Sequence, residues 1–259
     1  MKQLNYFRPL IILLLSLFIF SCASRKNVAY YQDIDKLSNL ENSSSYETKL
    51  QPDDLLMIVV MAENPEVAAP FNLPSVIMQS NTEFETQQLR MNSYLIDNNG
   101  FIQFPIIGAI KLGGLTRTEA VSKMNQELSK YITNPSVNLR ILNFKITVQG
   151  EVTQPGVHNI TSERITLTEA LSLSGDLTVY GKRENILIIR EKDGKKQAAR
   201  VDITKADFLN SPYYYLSQND VVYVEPNKTK VNSSVVGPNA TIVISAVSLL
   251  VTIIALTVR

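Results

Sequence analysis

The sequence has 259 residues and a formal net charge of +1, from 25 Lys and Arg against 24 Asp and Glu. This near-neutral balance, without a basic run, argues against a nucleic-acid partner. A single Cys excludes an internal disulfide and a cysteine-based zinc cluster, and a single His argues against a histidine metal site. We therefore predict no cofactor and no metal.

The amino terminus predicts a lipoprotein signal peptide. Lys2 and Arg8 precede a short apolar run at residues 10–20, and a small residue then precedes Cys22. Residues 19–22, Ile-Phe-Ser-Cys, resemble the bacterial lipobox, whose cysteine becomes the lipid-attached first residue of the mature protein. No Asp follows Cys22, so the resemblance implies an outer-membrane lipoprotein that faces the periplasm.

The next segment is polar and predicts a tether, and a first domain follows it. A proline turn leads into an apolar strand of the buried type over residues 55–60. Asp53 and Asp54 at its start are either a carboxylate pair for acid–base chemistry or turn acids that cap the strand, and we favour the second interpretation. After an irregular segment at residues 62–90, Asn99-Gly100 predicts a hairpin turn.

Two stretches of the sequence repeat at an offset of 50 residues. Gly100, Pro105 and the capping box that begins at Thr116 fall on Gly150, Pro155 and a second capping box at Thr166. Each copy predicts a hairpin followed by a capped helix. We favour a duplication over chance reuse of a common format.

The sequence of the second domain predicts one short helix packed on a small mixed sheet of about five strands. Gly175 follows the helix as a C-terminal cap, Asp193-Gly194 predicts a hairpin turn, and residues 221–224 predict a strand. Two α+β domains in series are therefore expected.

His158 and a tyrosine cluster are the remaining candidates in the second domain. His158 lacks a second His or a Cys near it in sequence, so we predict no catalytic or metal role. The residues Tyr213, Tyr214 and Tyr215 either stack on sugar rings or pack a strand edge or a subunit contact.

The carboxyl-terminal stretch predicts a transmembrane helix. Residues 241–258 contain no charge, Gly or Pro, and a helix of that length extends roughly 27 Å, close to the ~30 Å hydrocarbon core of a bilayer. Its small and hydroxylated residues recur at spacings of three and four and so share one stripe: Thr241, Ser245, Ser248, Thr252 and Ala255. The stripe suits close helix packing or a wall of a water-filled pore, whereas Ser and Thr are also tolerated in a plain anchor because they bond to their own backbone.

The order of these motifs resembles the Wza-like family of outer-membrane capsule and exopolysaccharide export lipoproteins. In the first domain the resemblance is carried by Leu50-x-Pro52-x-Asp54-x-Leu56, Gly100-x-Ile102-x-x-Pro105 and Gly114-Leu115-Thr116-x-x-Glu119-Ala120. In the second it is carried by Gly150-x-Val152-x-x-Pro155-Gly156, Thr166-Leu167-x-Glu169-Ala170-Leu171 and Asp220-Val221-Val222-Tyr223-Val224-x-Pro226. The family usually has Gly where this chain has Asp53.

The resemblance implies a polysaccharide export domain, then a soluble-ligand-binding β-grasp (SLBB) domain, then one transmembrane helix. The expected boundaries are a signal peptide at 1–21, a tether at 22–47, the export domain at 48–142, the SLBB domain at 143–226, a linker at 227–239 and the transmembrane helix at 240–258.

The resemblance also implies a function without catalysis. Identical subunits form a periplasmic ring, lipids at Cys22 anchor it, and the terminal helices surround a channel for polysaccharide in the outer membrane. An inner-membrane polysaccharide co-polymerase is the expected partner. The alternatives are a membrane-anchored periplasmic glycan-binding lipoprotein without a pore, and a glycan-processing enzyme that uses Asp53, Asp54 or Glu151.

Overall fold

The computed structural model describes residues 28–36, 47–74, 93–192, 194–235 and 239–257. The strands are β1 (Leu55–Met61), β2 (Tyr94–Leu95), β3 (Phe101–Phe104), β4 (Gly108–Lys111), β5 (Ser136–Ile141), β6 (Lys145–Gly150), β7 (Gly156–Asn159), β8 (Ile165–Thr166), β9 (Gly181–Lys192), β10 (Lys195–Val201), β11 (Tyr215–Leu216) and β12 (Val221–Pro226). The helices are α1 (Pro65–Ala68), α2 (Arg117–Leu128), α3 (Leu167–Leu173), α4 (Lys228–Val235) and α5 (Asn239–Thr257), with 3₁₀ turns at Ile34–Lys36, Ala69–Phe71 and Ala206–Asn210. The predicted signal peptide and Cys22 lie outside the described residues.

The first domain is built around β1. This strand lies between β2 and β5 and is antiparallel to both. Alternate residues Leu56, Ile58 and Val60 point inward because successive side chains of a strand face opposite sides. The buried face of α2 and the separate β3–β4 hairpin complete this core.

The second domain has a sheet in the order β10-β9-β12-β6-β7. β12 is the central strand, parallel to β6 and antiparallel to β9. Helix α3 covers one face, and the short pair β8–β11 lies beside it. This core is separate from the first, and Ile141 packs against both. The predicted α+β class with two domains is confirmed.

Both predicted capping boxes are present. The Thr116 hydroxyl accepts from the Glu119 N–H at 3.2 Å, and the Glu119 carboxylate accepts from the Thr116 N–H at 2.8 Å. Thr166 and Glu169 make the same pair of bonds at 3.1 Å and 2.8 Å. Each pair satisfies N–H groups that the first turn of a helix leaves without a partner, so α2 and α3 begin where the sequence predicts.

The central strand of each domain begins from the same turn. Asp54 is completely buried before β1, and its carboxylate accepts from the Gln51 N–H at 2.8 Å. Asp220 is completely buried before β12 and accepts from the Ser217 N–H at 2.8 Å. We call these the aspartate turns.

The residue before each buried aspartate has a left-handed backbone. Asp53 has φ of 69° and Asn219 has φ of 63°. Gly, Asn and Asp tolerate this region best. The conformation therefore explains why Asp53 can stand where the related family usually has Gly.

The Asn-Gly signal marks a turn, but the predicted hairpin between β2 and β3 is wrong. β2 pairs with β1 and β3 pairs with β4. The Asp97 carboxylate accepts from the N–H groups of Asn99 and Phe101, at 2.9 Å and 2.8 Å. Two backbone bonds, from the Asp97 N–H to the Phe101 carbonyl and from the Gly100 N–H to the Asp97 carbonyl, both at 2.9 Å, close the same turn. The turn therefore joins two strands that belong to different sheets.

The two repeat copies share their capped helices and differ in their hairpins. In the first copy, Gly100 precedes β3, and the turn near Pro105 joins β3 to β4. In the second copy, Gly150 ends β6, and the turn near Pro155 joins β6 to β7. The offset of 50 residues therefore aligns helix starts without aligning the strand pairs.

Part of the predicted tether packs on the second domain. Residues 28–36, which we call the strap, run beside the loop that follows β10. The Gln32 N–H donates to the Thr204 carbonyl at 2.8 Å, and the Tyr30 hydroxyl donates to the Asp176 carboxylate at 2.5 Å.

Helix α5 covers most of the predicted transmembrane segment, 240–258. Within the residues that the structure describes, no helix combines the length and hydropathy needed to cross a membrane. The transmembrane assignment in the fold prediction therefore has no support from the structure and remains a prediction from the sequence.

Gly150 and Gly114 allow the cost of backbone strain to be distinguished from the cost of steric clash. Both have positive φ, at 92° and 86°. A Cβ at Gly150 would lie 2.1 Å from the Val224 carbonyl oxygen, whereas one at Gly114 would meet nothing within 4 Å. We expect Gly114→Ala to lower the free energy of unfolding by about 1 kcal/mol and Gly150→Ala by at least about 3 kcal/mol.

Urea unfolding followed by circular dichroism would measure both losses. Equal losses in the two variants would show that the approach of β6 to β12 at Gly150 is not as close as described.

Candidate functional site

The junction of the two domains is held by one asparagine. Asn143 lies between β5 and β6, and its side chain accepts from the Leu55 N–H and donates to the Asp53 carbonyl, both at 2.9 Å. Its own carbonyl accepts from the Gln218 side-chain amide at 2.8 Å, and that amide oxygen accepts from the Lys145 N–H at 2.8 Å. Asn143 therefore connects the aspartate turn of the first domain to that of the second.

A groove of about 670 Å³ lies beside this junction. The first domain contributes one wall and the loop between β7 and β8 contributes the other. Its polar lining consists of Glu47, Thr48, Arg117, Arg140, Thr161, Ser162, Glu163 and Arg164. We call it the junction groove.

The junction groove carries three guanidinium groups and one ion pair across the domains. Arg117, the first residue of α2, lies 3.4 Å from the Glu163 carboxylate. Both side chains are largely exposed, so this pair contributes little to stability. Its geometric consequence is that it connects the two walls of the groove.

The tyrosine cluster is packed against the second domain and against arginines. The three rings are half-buried. Arg190 lies 5.1 Å from the ring centroid of Tyr213, and Arg164 lies 5.2 Å from that of Tyr215. The predicted sugar-stacking role is not tested by this packing, but two of the rings already have a guanidinium over them. A guanidinium over an aromatic ring is favourable and oriented, so the cluster fixes the directions of these arginines.

The helical stripe is only partly described. The side chains of Ser245, Ser248 and Thr252 are exposed in α5, whereas those of Thr241 and Ala255 lie outside the described residues. The Thr252 hydroxyl donates to the Ser248 carbonyl at 2.8 Å. This bond satisfies the hydroxyl within its own helix, as the anchor interpretation requires.

The carboxylates that the enzyme alternative would use are bonded to neighbouring groups of the fold. Asp54 is buried, with one oxygen bonded to Gln51 and the other without a partner in the described part of the chain. Glu151 follows β6 in the other domain, accepts from the Thr178 hydroxyl at 2.8 Å and lies 3.7 Å from the Lys230 ammonium. The aspartate turn supports the interpretation of Asp54 as a turn acid.

His158 pairs with a serine that the sequence does not single out. Its Nε2 lies 2.9 Å from the Ser174 hydroxyl. Ser174 is completely buried and also donates to the Ala170 carbonyl at 3.2 Å. A buried hydroxyl cannot reach a substrate in solution, so this pair stabilises the end of α3. No group of three or more His, Cys, Asp or Glu that could hold a metal occurs among the described residues.

Sequence patterns do not predict the junction. Asn143 is one polar residue between two strands, and its partners lie 88 and 75 residues away in sequence. The arginines of the junction groove come from three distant segments. Only the two turn motifs, which contain Asp54 and Asp220, could have marked where the domains meet.

Comparison with known proteins identifies the class of both folds. Residues 42–142 match a family model described as polysaccharide biosynthesis/export protein, and residues 144–224 match a model described as SLBB domain. The two models follow each other along the chain, as expected for a two-domain export protein. The chain belongs to the Wza-like polysaccharide export family.

Two curated relatives carry the same description, "EPS I polysaccharide export outer membrane protein EpsA". The protein from Ralstonia solanacearum is 29% identical over 222 residues, which cover 83% of this chain and 56% of the relative. The protein from Ralstonia nicotianae is 28% identical over 193 residues, which cover 72% of this chain and 50% of the relative. The chain thus spans about half the length of these relatives.

The buried carboxylate of Asp54 predicts a pH-dependent stability. Burial raises the pKa of Asp54 from 3.8 to about 6, so the folded protein binds this proton more tightly than the unfolded chain. Its stabilising contribution is therefore complete below pH 3.8 and is lost as the pH rises through about 6. We expect Asp54→Asn to gain stability relative to the wild type over this window, by on the order of 3 kcal/mol.

Urea unfolding at pH 4.5 and pH 7.5 would measure this difference. Asp53→Asn is the matched control, because it removes an exposed carboxylate from the same turn. A difference between Asp54→Asn and the wild type that does not change with pH would contradict the prediction.

Proposed function

We propose that this chain is a subunit of an oligomeric outer-membrane channel that exports capsular or extracellular polysaccharide from the periplasm to the cell surface. The observation that carries the proposal is the consecutive match of an export domain and an SLBB domain over residues 42–224. Both relatives are described as outer-membrane polysaccharide export proteins, which supports the same location and cargo.

The subunit acts without catalysis in this proposal. Proteins of this export family are a non-enzymatic transporter class. Asp54 and Glu151 are bonded to neighbouring groups of their own domains. These bonds support a structural role for both carboxylates, with binding and passage of polymer as the function of the subunit. A hydrated polymer needs many weak polar contacts along its path, because tight binding at one site would stop translocation.

Two attachments hold the subunit at the membrane in this proposal. Cys22 carries the lipid, and residues 240–258 cross the outer membrane beside the same helices of neighbouring subunits. The lipobox-like sequence and the uncharged stretch at residues 241–258 support these assignments. An inner-membrane polysaccharide co-polymerase meets the periplasmic end of the ring.

The second candidate is a membrane-anchored periplasmic glycan-binding lipoprotein without a pore. One observation favours it. The Thr252 hydroxyl bonds to the Ser248 carbonyl, so at least this member of the stripe does not need a neighbouring helix or water. In this candidate the helix is only an anchor, and its stripe can be replaced by apolar residues without loss of function.

Leucine substitutions in the stripe separate the two candidates. The triple variant Ser245→Leu, Ser248→Leu and Thr252→Leu keeps the helix apolar and fills the stripe with bulk. A packed or pore-lining stripe cannot accept this bulk, so the channel proposal predicts loss of surface polysaccharide at normal protein levels. The anchor candidate predicts normal export.

The matched control is Ile244→Leu, Val247→Leu and Val251→Leu. These positions have the same spacing on the adjacent face of α5 and are exposed. Cells would be scored for surface polysaccharide and for membrane-bound protein. Equal export by both triple variants would contradict the channel, and images of detergent-extracted particles that show only monomers would contradict the ring.

A further inference from the structure

The junction groove brings together cations from both domains. Arg117 comes from the start of α2, Arg140 from the edge strand β5, and Arg164 from the loop between β7 and β8. Clefts at domain interfaces are preferred ligand sites, and a volume of about 670 Å³ is within the range of small-molecule pockets.

Two of the three guanidinium groups have no carboxylate partner among the residues that the structure describes. Arg117 lies beside Glu163, and Glu47 accepts from the Thr118 hydroxyl at 2.8 Å. Over the described parts of the chain, neither Arg140 nor Arg164 has an Asp or Glu oxygen within 4.0 Å. The lining of the groove thus has three arginines against two glutamates, Glu47 and Glu163, and carries a net positive charge.

Arg164 is held in place before any ligand arrives. Its guanidinium lies over the Tyr215 ring at 5.2 Å, and its carbonyl accepts from the Ser162 hydroxyl at 2.7 Å. Preorganised side chains lose less conformational entropy on binding. The tyrosine cluster thus acts on the groove by orienting an arginine rather than by presenting a bare ring.

A hydroxyl that lines the groove has no hydrogen-bond partner. Thr48 is 9% exposed, and its Oγ1 is buried without a partner among the residues described. An unpaired buried hydroxyl is unfavourable. A change of the Thr48 side-chain rotamer toward the groove would allow a polar ligand there to become its partner.

We propose that the junction groove binds a carboxylated sugar unit of the polysaccharide, such as a uronic acid. Arg140 and Arg164 form charge-assisted hydrogen bonds with the carboxylate, for which the planar guanidinium is well matched. Thr48, Thr161 and Ser162 contact the sugar hydroxyls. The proposal rests on the proposed export function for the source of the ligand, whereas the binding itself is a property of the groove.

Isothermal titration of the full chain in detergent with trigalacturonate tests the proposal. The ligand control is the methyl ester of trigalacturonate, which has the same backbone without the negative charges. We expect trigalacturonate to bind, its affinity to fall as salt is raised, and the ester to bind at least about tenfold more weakly. Absence of trigalacturonate binding, or equal binding of acid and ester, would overturn the proposal.

Variants assign the binding to the groove. We expect Arg140→Gln and Arg164→Gln each to weaken trigalacturonate binding about tenfold. Glu163→Gln should strengthen it a fewfold, because it releases Arg117 from its ion pair and removes a repelling carboxylate. Arg200→Gln is the matched control. Arg200 is an exposed arginine on β10 that pairs with Glu225 outside the groove, so this variant should bind trigalacturonate as the wild type does.

Arg140 provides the decisive variant if loss of the Tyr215 contact destabilises Arg164→Gln. It is exposed on an edge strand, so its substitution leaves the fold intact. Unchanged binding by Arg140→Gln would place the ligand elsewhere and overturn the proposal. If the stripe variant abolishes export while the wild type does not bind trigalacturonate, the groove inference fails and the export function stands.

Discussion

A buried carboxylate at the start of the central strand organises each domain. Asp54 precedes β1 and Asp220 precedes β12, and each accepts the N–H of the residue three positions earlier. The bond closes a tight turn whose preceding residue is left-handed. Because β1 and β12 are hydrogen-bonded on both edges, the direction of each strand determines where its neighbours pair. The register of both sheets therefore depends on two short turns.

The two turns differ in charge compensation, and the domain junction connects them. Asp220 receives a bidentate contact from Arg190, with distances of 2.7 Å to 3.1 Å, whereas Asp54 keeps an oxygen without a partner in the described residues. In the second turn, the ion pair with Arg190 offsets the cost of burying the Asp220 charge. In the first turn, no cation in the part of the chain that the structure describes offsets the desolvation of Asp54. Asn143 contacts the backbone on both sides of Asp54 and the turn of Asp220. The geometry of the junction groove consequently depends on both turns.

Short-range sequence signals such as capping boxes and turn residues predicted the helix starts and turns well. They did not predict which distant strands and side chains pair. The capping boxes at Thr116 and Thr166 act within four residues, so the sequence places both helix starts. Asn99-Gly100 specifies a turn, but these residue types do not reveal that the strands on its two sides pair with other strands. The sequence likewise shows that Tyr215 is aromatic, but it does not reveal that Arg164 lies over the ring. The groove combines three segments, and only the tertiary fold brings them together.

The strap has a consequence for the order in which the chain folds. Its Asp33 side chain accepts from the Ala206 N–H, a contact between residues 173 positions apart, and Tyr30 contacts Asp176 across 146 positions. Contacts of such sequence separation form later than local ones, because they need distant parts of the chain to come together first. A chain that emerges from its amino terminus presents the strap long before its binding surface exists. Docking of the strap therefore requires a second domain that is already folded around Asp176 and Ala206.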